Sequence, residues 1–170
     1  LGLDALHIDQ SLGGRFQIAK TLSNLGQCYW RMGDVARGLE YLRRARESHE
    51  RYADQDSRAD TFLVTAGALL EAGDVDAAHT LCLDAGALTA VTGSIYDVIH
   101  EHVVRAQLAR HTGDAERAIE HASQARQMAE SQTMMSFHLY ATAIEAIARV
   151  DAGELHTGVL LARTALDAVE

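Results

Sequence analysis

A glycine followed by an acidic residue recurs along the chain at a fixed interval of 40 residues. The pair occurs four times, as Gly33-Asp34, Gly73-Asp74, Gly113-Asp114 and Gly153-Glu154. Glycine readily takes the left-handed conformation that ends a helix, and an acidic side chain can cap the start of the next one. A fixed period of this length is typical of a chain built from structural repeats, here pairs of helices joined at this turn.

Small residues keep the same period on both sides of the turn. They form three columns, which lie seven residues before, five after and twelve after each turn glycine: Gly26, Ala66, Ala106 and Ala146; Gly38, Ala78, Ala118 and Gly158; Ala45, Ala85, Ala125 and Ala165. Apolar residues around them recur at helical spacing, and proline, which interrupts helices, is absent from the chain. The pattern therefore predicts an all-α fold in which paired helices cross closely at the small residues.

The first helix before the first turn carries a recognisable motif. Leu22, then Leu25-Gly26, then Tyr29 precede that turn. With the small residues beyond the turn, this arrangement resembles the tetratricopeptide repeat (TPR). The resemblance spans the whole chain and implies a right-handed α-α superhelix that binds proteins or peptides. The last two repeats depart from the first-helix motif at His102, Arg105, Thr142 and Glu145.

The 40-residue period is longer than the roughly 34 residues usual for this family and also falls in the range of HEAT and armadillo repeats. HEAT helices commonly carry a kinking proline, which this chain lacks. We therefore expect a long TPR-like solenoid of four helix-turn-helix repeats with a partial N-terminal helix. The expected ranges within a single solenoid over 1–170 are 1–10 for the tail of a preceding repeat and 15–52, 57–91, 94–131 and 134–170 for the repeats. Because no polar capping repeat is recognisable and the first residue is not Met, we expect a fragment of a larger protein.

Composition restricts the class of partner. The formal net charge of -9 disfavours nucleic acid and anionic membranes, which need clustered basic residues. The sequence contains no run of about 18 apolar residues and therefore predicts no membrane span. Cys28 and Cys82 are too few for a disulfide framework, which favours reduced thiols in the cytoplasm. Lys20 is the single lysine among fifteen basic residues, a bias that points to a GC-rich bacterial source.

No residue pattern predicts an enzyme. His100 and His102 lie two apart on a predicted helix and point to different faces, unlike the pair four residues apart in a helical zinc site. A phosphate-binding glycine loop, paired carboxylates and a Cys-His constellation are not recognisable either. We therefore expect no catalytic residues, no metal site and no cofactor.

The resemblance places the partner on the first helix of each repeat, which would line the concave surface of the superhelix. Four columns of first-helix residues face away from the second helix. The candidates taken from these columns are Lys20, Ser23, Gln27, Trp30, Leu63, Leu70, His100, Val103, Gln107, Arg110, Tyr140 and Ile147. Trp30 provides a rigid aromatic anchor of the kind found in binding hot spots. Alternatively, aliphatic members such as Leu63, Val103 and Ile147 pack between neighbouring first helices.

The leading functional hypothesis is a scaffold that binds a protein or peptide segment in the concave groove. It would be a module of a multidomain bacterial signalling or transcriptional regulator, an assignment that rests on family analogy. One alternative is self-assembly into a homo-oligomer through the ends of the solenoid. Another is a sensor domain that binds a small signalling ligand.

Overall fold

The computed structural model describes residues 15–52 and 57–168. This part of the chain is all-helical and contains eight helices. They are α1 (Arg15–Arg31), α2 (Val35–Tyr52), α3 (Arg58–Ala72), α4 (Val75–Thr92), α5 (Ile95–His111), α6 (Ala115–Ser131), α7 (Met135–Asp151) and α8 (Leu155–Asp167). The all-α prediction is confirmed. The proposed tail at residues 1–10 lies outside the described residues, and the repeat ranges stay predictions.

The glycine of each repeated turn ends the first helix of a pair. Gly33, Gly73, Gly113 and Gly153 have φ values of 90°, 85°, 77° and 85°, in the left-handed region. The next backbone N–H, as in Asp34 and Asp114, donates to a carbonyl five residues earlier. This is the closing bond of a Schellman turn. All four turns therefore share one backbone solution, as the repeated sequence predicts.

The acidic residue of the turn caps the second helix in three repeats. The Oδ1 atoms of Asp34, Asp74 and Asp114 each accept a hydrogen bond from a backbone N–H three residues ahead, at 3.1 Å. Glu154 differs, since its side chain makes no capping bond and its Oε2 accepts from Arg149 Nη1 at 2.6 Å. The longer glutamate side chain reaches back to the preceding helix instead of turning onto its own.

The small-residue columns lie where the two helices of a pair cross. A Cβ on Gly26 would stand 2.6 Å from Leu42 Cγ, and a Cβ on Gly38 would stand 2.9 Å from the Gly26 carbonyl oxygen. A Cβ on Gly158 would stand 2.7 Å from the Ala146 carbonyl oxygen. These approaches leave no room for a side chain, which confirms the predicted reason for the small residues.

The chain divides into two compact units, residues 1–92 and 93–170. In the first unit, one apolar cluster lies around Leu22, Leu25 and Ala45 and another around Trp30, Leu42, Val64 and Ala68. In the second unit, an apolar cluster includes Ile99, Val103, Ala106, Ala122, Ala125, Ala129, Ala141 and Ile144. Among the described helices, none is long and apolar enough to cross a membrane.

Candidate partner-binding surface

The structure separates the twelve predicted binding residues into two groups. Six are buried: Ser23, Trp30, Leu63, Leu70, His100 and Val103. Six are exposed or half-buried: Lys20, Gln27, Gln107, Arg110, Tyr140 and Ile147. Trp30 packs with residues of α3 and Val103 with residues of α7, so contacts between consecutive first helices of a unit cover these two. Only the second group is open to a partner in this structure.

Trp30 is an example of a predicted binding residue that is buried and therefore not accessible to a partner. Its ring packs with Val64 and Ala68 of α3, and only 6% of the residue is exposed. A Cβ added to Gly67 would stand 2.7 Å from Trp30 Cη2, so α3 has a glycine where the ring enters. Trp30 therefore joins α1 to α3 and is not the exposed anchor that the sequence suggested.

In the second unit, predicted binding residues join α5 to α7 by polar contacts. Gln107 Nε2 donates to Tyr140 Oη at 2.9 Å. Arg110 Nε donates to Asp151 Oδ2 at 3.0 Å, and both side chains remain partly exposed. These residues are accessible at their edges, although their polar atoms already have partners within the unit.

A third polar contact in this unit is buried. Glu145 of α7 is 1% exposed and accepts hydrogen bonds at 2.8 Å from Arg126 Nε and from Arg149 Nη2. The bond to Glu145 raises the pKa of Arg149 above its usual value. The buried carboxylate is therefore compensated by two guanidinium groups.

An open apolar groove of about 520 Å³ lies between α7 and α8. Its lining consists of Leu139, Tyr140, Ala143, Ala146, Ile147, Ala162, Ala165 and Leu166. Ile147 and Leu166 are 45% and 67% exposed. Two of the predicted residues, Tyr140 and Ile147, thus meet in this groove, while its α8 residues were not predicted, because all predicted positions lie on first helices.

The 40-residue period shows what kind of surface the groove is. The positions 40 residues before its lining are Ile99, His100, Val103, Ala106, Gln107, Ala122, Ala125 and Arg126. Five of these belong to the core cluster that also contains Ala141 and Ile144 of α7. The groove is therefore the α7–α8 counterpart of the surface on which α5 and α6 hold a helix.

The groove is more apolar than that earlier surface. Gln107, Arg110 and Arg126, which bond to α7, correspond 40 residues later to Ile147, Val150 and Leu166. All three replacements are apolar and exposed. A sequence reader could have found this signal by comparing columns between repeats 3 and 4.

Residues 15–52 and 57–168 contain no group of three or more His, Cys, Asp or Glu side chains that could hold a metal ion. The contacts described above account for the polar residues around the groove by packing and ion pairing. The arrangement offers apolar surface and a few hydrogen-bonding edges.

Comparisons with known proteins agree with this fold. Residues 17–85 match the family model described as Tetratricopeptide repeat. A crystal structure of nearly identical TPR-like repeats, from a Podosopora anserina protein assigned as a kinesin light chain, superposes with a TM-score of 0.57. The two sequences are 17% identical, and the match covers 88% of this chain and 74% of that one. No curated protein is similar enough in sequence to count as a relative.

Proposed function

Residues 17–85 match the tetratricopeptide-repeat family model, and from that match we propose that the chain is a member of that family and a protein-binding scaffold whose partner docks in the α7–α8 groove. Repeats of this family generally serve protein–protein interaction, and their fold is a scaffold type that is generally non-enzymatic. The observation that carries the proposal is the open apolar groove with Tyr140, Ile147 and Leu166 in its lining. Exposed apolar surface of this kind marks interaction sites.

The repeat geometry supports a helical partner. In the second unit, α7 packs on α5 and α6 with Phe137, Ala141 and Ile144 in or against the core cluster. These residues follow a helical spacing of four and three. A partner helix in the groove would present apolar side chains at the same spacing, in the manner of helix-in-groove recognition.

The partner helix would differ from α7 at three positions. Tyr140, Glu145 and Asp151 of α7 meet Gln107, Arg126 and Arg110, whereas the groove offers aliphatic side chains at the corresponding places. A polar group buried against these aliphatics would lack a partner and would weaken binding. We therefore propose a partner segment that is apolar at all of these positions.

A labelled peptide tests the proposal directly. The probe copies residues 134–151 of this chain with Y140L, E145L and D151L, and fluorescence anisotropy measures its binding to the full chain. The expected result is tighter binding than that of the unaltered copy. Ile147→Asp and Leu166→Asp should each weaken binding about tenfold or more, because each places a charge in the apolar contact.

The matched control is Met32→Asp, at an exposed apolar residue of the first unit. Met32→Asp should bind the probe like the unaltered chain. Equal affinity of the unaltered chain, Ile147→Asp and Leu166→Asp for the probe would refute the groove as the binding surface. Circular dichroism confirms that each variant is folded.

Self-assembly through the same groove is a second candidate. The exposed apolar residues Ile147, Val150 and Leu166 would be covered in a symmetric pair of copies. Docking of α1 from a second copy in the groove is disfavoured, because the α1 positions that correspond to Phe137, Ala141 and Ile144 are polar. They are Gln17, Thr21 and Asn24. Light scattering over a concentration series tests this candidate, since a monomer at every concentration contradicts it.

The wider setting is also part of the proposal. We place the scaffold in the cytoplasm, as a module of a multidomain bacterial signalling or transcriptional regulator, on the basis of its arginine-rich, cysteine-poor composition and of family analogy. The groove volume also falls within the range of small-ligand sites, which keeps a sensor function as an alternative. A thermal-shift screen with small apolar compounds tests it, and a flat response would count against it.

A further inference from the structure

Two histidines face each other across the helix pair α5–α6, away from the groove. His102 of α5 and His121 of α6 are both half-buried, and their Nδ1 atoms are 3.1 Å apart. Their ring centroids are separated by 5.3 Å, with the planes inclined at 47°. The two residues are 19 positions apart and lie on different helices, so histidine spacing along a single helix does not reveal the pair.

Neither histidine is the usual residue at its position in the repeat. The column of His102 holds Leu22 and Phe62 in the first two repeats, and the column of His121 holds Tyr41 and Leu81. Leu22 and Tyr41 belong to one apolar cluster, and Phe62 and Leu81 are both buried. Where the first two repeats have an apolar contact between their two helices, the third repeat has two imidazoles.

We propose that His102 and His121 together bind a divalent transition-metal ion that takes imidazole ligands, such as Zn²⁺ or Ni²⁺. Two nitrogens on one tetrahedral Zn²⁺, each at about 2.0–2.1 Å, lie about 3.3–3.4 Å from each other. The observed separation of 3.1 Å is within a few tenths of an ångström of that distance. Water completes the coordination.

The protonation states suit this role. A single proton lies between the two Nδ1 atoms when both rings are neutral, so one ring carries its hydrogen on Nδ1. Binding through both Nδ1 atoms requires that ring to carry its hydrogen on Nε2 instead, which releases no net proton. Burial lowers the pKa of both histidines, with His121 contributing for His102 and Arg105 for His121. The neutral form that ligates metals is therefore favoured.

The charged groups around the pair are mixed. Glu120 places negative charge near both rings and favours a bound cation. Glu101 and Arg105 act on the rings in opposite directions and are paired with each other at 2.7 Å.

Calorimetric titration of the chelator-treated chain with ZnCl₂ tests the proposal. The expected result is one Zn²⁺ per chain with a rise in Tm that EDTA reverses, because an ion that binds only the folded state stabilises it. His102→Leu and His121→Leu restore the apolar contact of the other repeats, so both should fold. Each should weaken Zn²⁺ binding about tenfold or more, since the effect of losing a ligand exceeds that of losing an outer contact.

His79→Leu is the matched control, because His79 is exposed and lies in the other unit. It should bind Zn²⁺ like the unaltered chain. Identical titrations of the unaltered chain and of both single variants would overturn the proposal. A second measurement does not depend on the variants: in nitrogen-15 spectra of the histidine rings, Zn²⁺ should shift two Nδ1 signals, and a uniform change over all histidines would also overturn it.

Discussion

The two units fill the same columns of the repeat with different chemistry. In the first unit, Trp30 joins α1 to α3 by packing beside Gly67, Val64 and Ala68. In the second unit, the corresponding helices α5 and α7 are joined by the Gln107–Tyr140 and Arg110–Asp151 contacts. Arg110 occupies the column of Trp30. The same backbone repeat therefore accepts two kinds of contact between consecutive first helices. One is the packed ring of Trp30, which we call the apolar wedge, and the other is the Arg110–Asp151 pair, which we call the polar link.

This difference shows which parts of the repeat are fixed. The turn glycines and the crossing alanines determine how the two helices of a pair approach, and those positions are alike in both units. The positions that join consecutive first helices differ, with a ring at Trp30 in the first unit and a guanidinium at Arg110 in the second. Large rings, ion pairs and aliphatic side chains can all occupy those positions.

The largest effect should follow from removing the wedge. Trp30→Ala deletes a ring that is almost fully buried, and we expect a loss of about 3–5 kcal/mol in the free energy of unfolding. Denaturant unfolding followed by circular dichroism measures it. A loss below about 1 kcal/mol would show that the Trp30 ring contributes little to the free energy of unfolding and that the two units do not differ in the way described.

Gly67→Ala probes the same contact from the other side. The added Cβ would stand 2.7 Å from Trp30 Cη2, and we expect a loss of about 2 kcal/mol because a well-packed core tolerates added volume poorly. Trp30→Phe should relieve the overlap, so a double-mutant cycle should show coupling between the two positions. Additive effects would contradict the packing described for α1 and α3.

In the second unit, Glu145→Gln removes the charge that compensates Arg126 and Arg149. We expect a loss of about 1–2 kcal/mol, less than for a fully buried pair, because both arginine side chains are about a quarter exposed. Urea unfolding at two salt concentrations measures it. Glu154→Gln, at the exposed partner of Arg149, is the control and should cost less.

The smallest effect should come from the partly exposed link between α5 and α7. Arg110→Ala breaks the ion pair with Asp151. The Arg110 and Asp151 side chains are 31% and 46% exposed, so we expect a loss of at most about 0.5 kcal/mol in the free energy of unfolding. Thermal unfolding compared with Asp151→Asn checks this value. A loss comparable to that of Trp30→Ala would mean that the polar link and the apolar wedge are equivalent in strength.

Much of the fold could be predicted because its determinants are local in sequence. The left-handed turn at Gly73 and the cap at Asp74 are set by neighbouring residues, and the period repeats them. The side-chain contact of Glu154 could not be predicted in this way, because its bond to Arg149 depends on side-chain length and on a residue of the preceding helix. The column pattern alone therefore predicted helices and turns better than side-chain contacts.

The candidate site was less predictable for a similar reason. The burial of Trp30 depends on how closely α1 and α3 approach, which the period does not specify. The groove depends on residues of α7 and α8 together, such as Ile147 and Leu166. The pair His102 and His121 likewise requires the pairing of two helices to be known. Such contacts are non-local, so they appear only when the helices are assembled.

The turn glycines have a consequence for how such a chain can change over generations. A Cβ built on Gly33, Gly73, Gly113 or Gly153 would have nothing within 4 Å, so these turns depend on backbone conformation and not on neighbouring side chains. A recombination event that joins one turn to another preserves the same junction, whichever repeats it brings together. Gene duplication or deletion in steps of 40 codons would therefore leave every hairpin intact.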